Sequence, residues 1–361
     1  MKLQFKTLIL LLMLPGLVLA NHDKFNGKYT KEKTVKKEFT VNKNARLKVD
    51  NSYGNVDITT WTENRTVIEV RIRTNGNNEE KVQKKLEEIT VEFTADSGLV
   101  SAKTIFNKNK SSWKFWNNGD NNVSMEINYT IKIPITNSVD LDNDYGAISI
   151  NSLKGNAKIN CDYGQLHIGE LLADGNYLNF DYTSKSTIGF MKSGKINADY
   201  SGFTLEKAER LELVADYTQS EILEVEELNY NCDYGKISVD NAGNVMGRGD
   251  YLTNRFGKVN GSLNLNTDYG SIKVEELTSA AKNVTIDGDY TGISLGISSG
   301  YSFNFKLDLS YARLKGEDHV TITTSDEDGS DKIYTGYHGN KNSGNSVNIK
   351  SDYGGVSFFK N

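Results

Sequence analysis

The sequence predicts an all-β chain: a parallel β-helix of about twelve layers of 17–21 residues, behind a small α+β N-terminal cap. Three observations carry this. First, a tripeptide returns: Asp-Tyr followed by Gly, Ser, Thr or, once, Leu. Its tyrosines are Tyr145, Tyr163, Tyr182, Tyr200, Tyr217, Tyr234, Tyr251, Tyr269, Tyr290 and Tyr353. Tyr311, after Ser310, is a degenerate copy, and the double gap that follows places another near Tyr334. Second, apolar residues alternate before each tyrosine, as in Leu211, Leu213 and Ala215, and resume out of phase after it, as in Ile237 and Val239. Third, there are only two prolines, Pro15 and Pro134, as expected where every backbone N–H is needed by a strand ladder.

Period-2 alternation broken by aspartate and small residues reads as two short strands per layer joined at a corner. Residues i and i+2 of a strand share a face. The tyrosine is therefore expected to point inward with the aliphatic residues, and the aspartate outward. Layers about 4.8 Å apart bring the rings within stacking range. Right-handed winding follows the rule for parallel crossovers.

Residues 1–20 read as a cleaved signal peptide. Lys2 and Lys6 precede an apolar run too short to span a bilayer comfortably, and Val18-Leu19-Ala20 forms the cleavage site. No later stretch could cross a membrane as a helix, so the mature chain reads as exported. Residues 21–135 read as the cap and 136–361 as the repeat array. Leu47, Val49, Asn51, Tyr53-Gly54, Val56 and Ile58 form an early copy. After it come a strand at 67–72, a helix near 79–89, strands at 90–94 and 99–105, and a strand at 123–133. A solenoid needs its first layer covered, and this excursion is expected to cover it. Residues 21–135 carry roughly five excess positive charges and the remainder roughly twelve negative ones. An acidic array excludes a nucleic-acid partner, which needs a basic stripe. Cys161 and Cys232 each lie two residues before a tyrosine, four layers apart, or ~19 Å at ~4.8 Å per layer. That exceeds the ~7 Å a disulfide spans, so both read as buried thiols.

The run from Leu47 to Ile58, Trp61, the helix, Ile131-Lys132-Ile133-Pro134 and the repeated Asp-Tyr-Gly layers resemble a bacterial family known as putative adhesins, related to autotransporter adhesin head domains. The resemblance implies an exported β-helical protein of Gram-negative envelopes, with adhesion as the analogous function and no catalytic residues.

Several constellations could carry chemistry. The aspartate column, with Asp199, Asp216, Asp233 and Asp250 at its centre, could close Asx-turns, hold a cation such as calcium, or act on a glycan. The first reading is favoured, because the nonapeptide of calcium-binding β-rolls is absent and a catalytic pair should be a local exception to the repeat. Asp326-Glu327-Asp328-Gly329-Ser330-Asp331 reads as an acidic turn, since it lacks EF-hand spacing. Gly292-Ile293-Ser294-Leu295-Gly296 matches the hydrolase elbow by letter but lies in a strand pattern. His22, His167, His319 and His338 show no metal spacing. Trp113, Phe115 and Trp116 beside Lys114 either cover the first layer or bind a ligand, such as a sugar or a membrane headgroup. No cofactor is expected. The last strand, Val356 to Lys360, is expected to leave an open layer available for self-association. These readings make the chain a non-enzymatic envelope protein of the periplasm or cell surface, binding a cell-surface glycan or an envelope protein. The alternatives are a polysaccharide-degrading enzyme and a periplasmic scaffold.

Overall fold

The computed structural model describes residues 25–107 and 123–360. The chain is all-β, with a mixed sheet, and divides into two compact units, Met1–His167 and Ile168–Asn361.

In the first unit the early copy of the repeat is one layer. Its strand Arg46–Ser52 pairs in parallel with Ser138–Asp144 of the next copy, and Val56–Trp61 pairs in parallel with Ala147–Leu153. On their other edges these strands meet Leu99–Phe106 and Ser124–Pro134, also in parallel. The intervening chain completes this side. Arg65–Gly76 runs antiparallel between Tyr29–Thr40 and Ser124–Pro134, and Ile89–Ala95 runs antiparallel to Leu99–Phe106. The helix Glu79–Glu88 starts where the Asn78 side chain accepts the Lys81 N–H, and it buries Val82 and Leu86. The expected elements between 67 and 133 therefore form, the first strand being longer than expected. At the core position two residues before the tyrosine, the first two copies place amides and the third Cys161. Asn51 Nδ2 donates to Asn143 Oδ1 at 2.9 Å and to the Ile127 carbonyl, while Asn143 Nδ2 donates to the carbonyls of Gly54 and Gly146. Thr104 donates to Asn51 Oδ1, so the buried amides are hydrogen-bonded.

In the second unit the strands Ser186–Asp199, Gly202–Val214, Gln219–Asn231 and Lys236–Arg248 pair in parallel, each with the next. The offset is one repeat, Gly202 facing Gln219 and Gln219 facing Lys236. Here two short strands per layer give way to one strand of 13 or 14 residues, bent where the buried positions are three residues apart rather than two, as from Ile222 to Val225 to Leu228. Those steps turn the strand without breaking its pairing. Leu211, Leu213, Ile222, Val225, Ile237 and Val239 lie in its core.

The end of the chain corrects two expectations. Ser346–Asp352 pairs in parallel with Val284–Asp289 on one side and Phe303–Ser310 on the other. Val356–Lys360 likewise lies between Gly292–Ile297 and Leu314–Lys315. The last repeat in sequence is thus inserted between two earlier ones, with Val356 and Phe358 buried, and it offers no open layer. Tyr334 marks no degenerate copy. It is buried in Asp331–His338, the middle strand of an antiparallel arrangement with Phe303–Ser310 and Thr321–Asp328. The acidic run forms the turn of that hairpin, as its composition suggested.

Candidate functional site: a ladder of exposed tyrosines

The repeated tyrosines face outward, which reverses the orientation expected from the alternation. The reason lies in the backbone. Tyr53, Tyr145, Tyr163, Tyr182, Tyr200, Tyr217, Tyr234, Tyr251, Tyr269, Tyr290, Tyr311 and Tyr353 all have φ between +50° and +65°. A residue in the left-handed region does not continue a strand, so counting by twos fails there. The inward series ends at Ala215 and resumes at Thr218, with Asp216 and Tyr217 forming the corner. The left-handed conformation costs roughly 1–2 kcal/mol for an L-residue other than glycine.

The rings offset part of that cost by stacking. In the first unit Tyr53, Tyr145 and Tyr163 stack at 5.2 and 5.1 Å, and Phe106 meets Tyr53 edge-on. In the second unit the column runs Tyr182, Tyr200, Tyr217, Tyr234, Tyr251, Tyr269, Tyr290, Tyr353, Tyr311, following the inserted order of the last repeat. Its centroids lie 4.8–5.2 Å apart and its planes within 9° of parallel. Each such pair is worth about 0.5–1.5 kcal/mol beyond its burial. Because ring faces are occupied by neighbouring rings, the surface presents ring edges and hydroxyls. Tyr217 is 50% exposed, and Tyr311, at the end of the column, 64%. Burial raises the pKa of Tyr200, Tyr234 and Tyr353, and the neighbouring tyrosines and aspartates add to the rise.

The aspartates are half-buried, except the exposed Asp250, and Asp181, Asp199, Asp216, Asp233 and Asp268 bond between layers. Oδ1 of Asp181 accepts the backbone N–H of Asp199, Asp199 that of Asp216, Asp216 that of Asp233, and Asp233 that of Asp250, at 2.7–3.1 Å. Asp268 accepts from Asp289 in the same way. Meanwhile the N–H groups of the ladder tyrosines from Tyr182 to Tyr290 each donate to the aspartate carbonyl one layer on, as Tyr217 does to Asp233 at 3.0 Å, whereas Tyr353 donates to the Ser310 carbonyl and Tyr311 to that of Ser330. The backbone ladder therefore continues through the corner. The carboxylate bond is missing at Asp289, whose Oδ1 is buried without a partner beside the inserted strand, although Asp289 still faces Asp352 in register. In the first unit, desolvation raises the Asp144 pKa, and Asp142, Asp162 and Asp50 raise it further.

The residue after the tyrosine is small or hydroxylated in every copy except one, where it is Leu252. A Cβ on Gly164 would lie 2.0 Å from the Gly146 carbonyl oxygen. Where Thr218 and Thr291 stand instead, the hydroxyl donates to the preceding aspartate carbonyl two residues back and to a carbonyl of the adjacent layer. These contacts explain the third letter of the motif.

The other predicted residues distribute as follows. Asp199, Asp216, Asp233 and Asp250 share the ladder described above, and no group of three or more possible metal ligands stands among the described residues. Trp113, Lys114, Phe115 and Trp116 lie outside the described residues, as do residues 1–20, expected to be a signal peptide. Ser294 is half-buried in the strand Gly292–Ile297, with its hydroxyl 2.8 Å from that of Ser357, so the elbow-like letters form no elbow. Cys161 and Cys232 are buried free thiols, each pushed up to about 12 by burial. A shallow groove of about 630 Å³ on the second unit was not foreseen; Arg210, Glu227, Asn244, Asn229 and Met246 line it.

No protein-family model matches the chain, and no curated protein matches it. Solved structures give remote resemblances. A putative cell adhesion protein from Clostridium sporogenes aligns over 92% of this chain and all of its own, at 12% identity and a TM-score of 0.18. A putative adhesin from Parabacteroides distasonis aligns over 91% of this chain and 97% of its own, at 10% identity and a TM-score of 0.30. A putative lipid binding protein from the same species aligns over 90% and 96%, at 11% identity and a TM-score of 0.27. Superpositions this poor assign the chain neither family nor ligand.

Proposed function

We propose that the chain is an exported, non-enzymatic binding protein of a Gram-negative cell envelope, acting as an adhesin. In this reading residues 1–20 are its signal peptide, residues 21–135 cap the first layer, and residues 136–361 wind as a right-handed parallel β-helix interrupted by the antiparallel strands Thr321–Asp328 and Asp331–His338. The parallel, in-register pairing of successive repeats supports the winding. The observation that carries the function is the tyrosine ladder. In each unit it is an aromatic stripe on the surface, and soluble proteins rarely expose such stripes without an interaction to serve. Tyrosine is also enriched where proteins meet partners, because it offers apolar area and a hydroxyl at low entropic cost. The carboxylates beside the ladder recur layer after layer and hold backbone N–H groups, which suits scaffolding rather than acid–base catalysis.

The test is to present purified mature protein, residues 21–361, with a panel of polysaccharides and with intact cells. Saturable binding without product formation supports the reading, and turnover of any polysaccharide replaces it with the enzymatic one. Protease accessibility on whole cells separates surface exposure, which adhesion requires, from a periplasmic scaffold.

A further inference from the structure

We infer that the tyrosine–aspartate stripe of the second unit is a track for one extended glycan chain, a linear β-1,4-linked polysaccharide without acidic groups. The inference rests on the adhesin reading and adds the ligand class and the surface that holds it. Three features of the stripe select this ligand.

The first is repetition without twist. From Tyr182 to Tyr269 each ring lies 4.8–5.2 Å from the next with adjacent planes within 9° of parallel, so equivalent atoms recur at a nearly constant step. A β-1,4-linked chain is a flat ribbon whose sugar units advance by a similar step and flip from one to the next, so a tyrosine stands opposite every unit and like hydroxyl edges recur at every second tyrosine. A curled α-1,4-linked chain loses that register after a few units.

The second is the hydrogen-bonding inventory of each layer. The hydroxyls of Tyr200, Tyr217, Tyr234 and Tyr251 have no hydrogen-bond partner among the described residues, and each can donate and accept. Asp199, Asp216 and Asp233 spend one carboxylate oxygen on the next layer's N–H, and the other takes no protein hydrogen bond. The layers of Tyr200, Tyr217 and Tyr234 thus each offer a phenol and a carboxylate oxygen on adjacent residues, complementary to a polymer that repeats its hydroxyls. The interior ring faces are stacked on one another, so the sugar is held by edges and hydroxyls rather than by lying flat on a ring.

The third is charge. A carboxylate in each layer repels uronic or sulfated glycans and tolerates neutral ones. The stacked rings are already fixed, so binding orders few side chains. Weak contacts repeated along one chain then accumulate as multivalent binding.

The test uses calorimetry on the mature protein with cello- and chito-oligosaccharides of two to six units, maltohexaose and polygalacturonate. Affinity is expected to rise with length for the β-1,4 series and to be absent for the other two. Tyr217→Phe, Tyr234→Phe and Tyr251→Phe together keep the stack and remove three hydroxyls. At roughly fivefold per lost neutral hydrogen bond, the triple variant weakens hexamer binding about a hundredfold. Its melting midpoint should be unchanged, which separates binding from folding. Equal binding by the triple variant overturns the track, as does loss of binding on Asn244→Ala in the groove with the triple variant unaffected. So does sedimentation as a dimer that the triple variant dissolves, with no oligosaccharide bound, which would make the stripe a self-association surface. Native protein that binds other glycans or cells but none of these oligosaccharides refutes the track and leaves the adhesin reading standing. Hydrolysis of a probe refutes the adhesin reading itself.

Discussion

Replacing Tyr217 by Ala and by Gly gives a reversal of the usual order. Half of the ring is buried, or ~100 Å² of a side chain that buries about 150–250 Å² in full. At about 25 cal/mol per Å² its loss is worth roughly 2.5 kcal/mol, an upper figure because unfolded chains are partly collapsed. The stacks on Tyr200 and Tyr234, at 4.8 and 4.9 Å, add to the loss in both variants. The variants differ at the backbone. Ala keeps the cost of φ +53°, and Gly relieves it by about 1 kcal/mol. Tyr217→Ala should therefore cost about 3 kcal/mol and Tyr217→Gly about 2 kcal/mol. In an ordinary strand, Gly is the worse of the two by roughly 0.5–1 kcal/mol. Denaturant unfolding gives the order, and hydrogen exchange in the flanking layers shows where the loss appears, since repeat layers can open locally. A Gly variant no more stable than the Ala variant refutes the left-handed corner. A loss above about 5 kcal/mol in both would restore the inward tyrosine.

Three further outcomes follow from the same geometry. Asp216→Ala should expose the amide of Asp233, one layer on, to faster exchange and cost about 1–3 kcal/mol, whereas Asp216→Asn, which keeps an acceptor oxygen, should stay close to wild type; faster exchange confined to the 216–218 corner would favour the local Asx-turn instead. Because the Asp144 pKa is raised on folding, the native state holds a proton that the unfolded chain has lost, so its contribution falls as pH rises through the window above the ordinary value of about 3.9. Asp144→Asn should then be the more stable protein at neutral pH, with the advantage vanishing below about pH 4 in thermal melts; a constant advantage across that range would sink the argument. Deleting residues 346–361 should unfold the strands on both sides, Val284–Ile297 and Phe303–Lys315, because the deleted segment lies between them; retention of their exchange protection would show that it is a dispensable end.

The repeat, the all-β class and the α+β character of residues 65–134 were legible because each depends on local periodicity. So was the inward set: Leu228, Tyr230 and Cys232 are all buried. Tyr234 was misassigned by extending the same count one step too far. The signal against that step was present in the shifted phase of Ile237 and Val239, since a strand cannot change phase without a residue leaving the extended region. Nothing local pointed to tyrosine as that residue, because the left-handed region is usually taken by Gly or Asn. The insertion of the last repeat was illegible for a different reason. Equivalent repeats have interchangeable edges, so Ser346–Asp352 fits beside Val284–Asp289 as well as Phe303–Ser310 would, and the 42-residue gap between Tyr311 and Tyr353 only shows that something intervenes.

A tyrosine in this corner makes sense only as a member of a ladder. Alone it would keep the left-handed cost of roughly 1–2 kcal/mol with no ring to set against it. One stacked neighbour returns about 0.5–1.5 kcal/mol, near balance, and two bring a net gain. The stabilisation therefore belongs to runs of adjacent copies, which ties the motif's uniformity to its length. It also predicts where the motif should loosen. Tyr311 stacks on Tyr353 alone, is the most exposed ring, and is the copy in which Ser310 replaces the aspartate. A stripe that is rigid because its members hold one another, and half exposed because their edges cannot be buried, is suited to reading a ligand that repeats at the same interval.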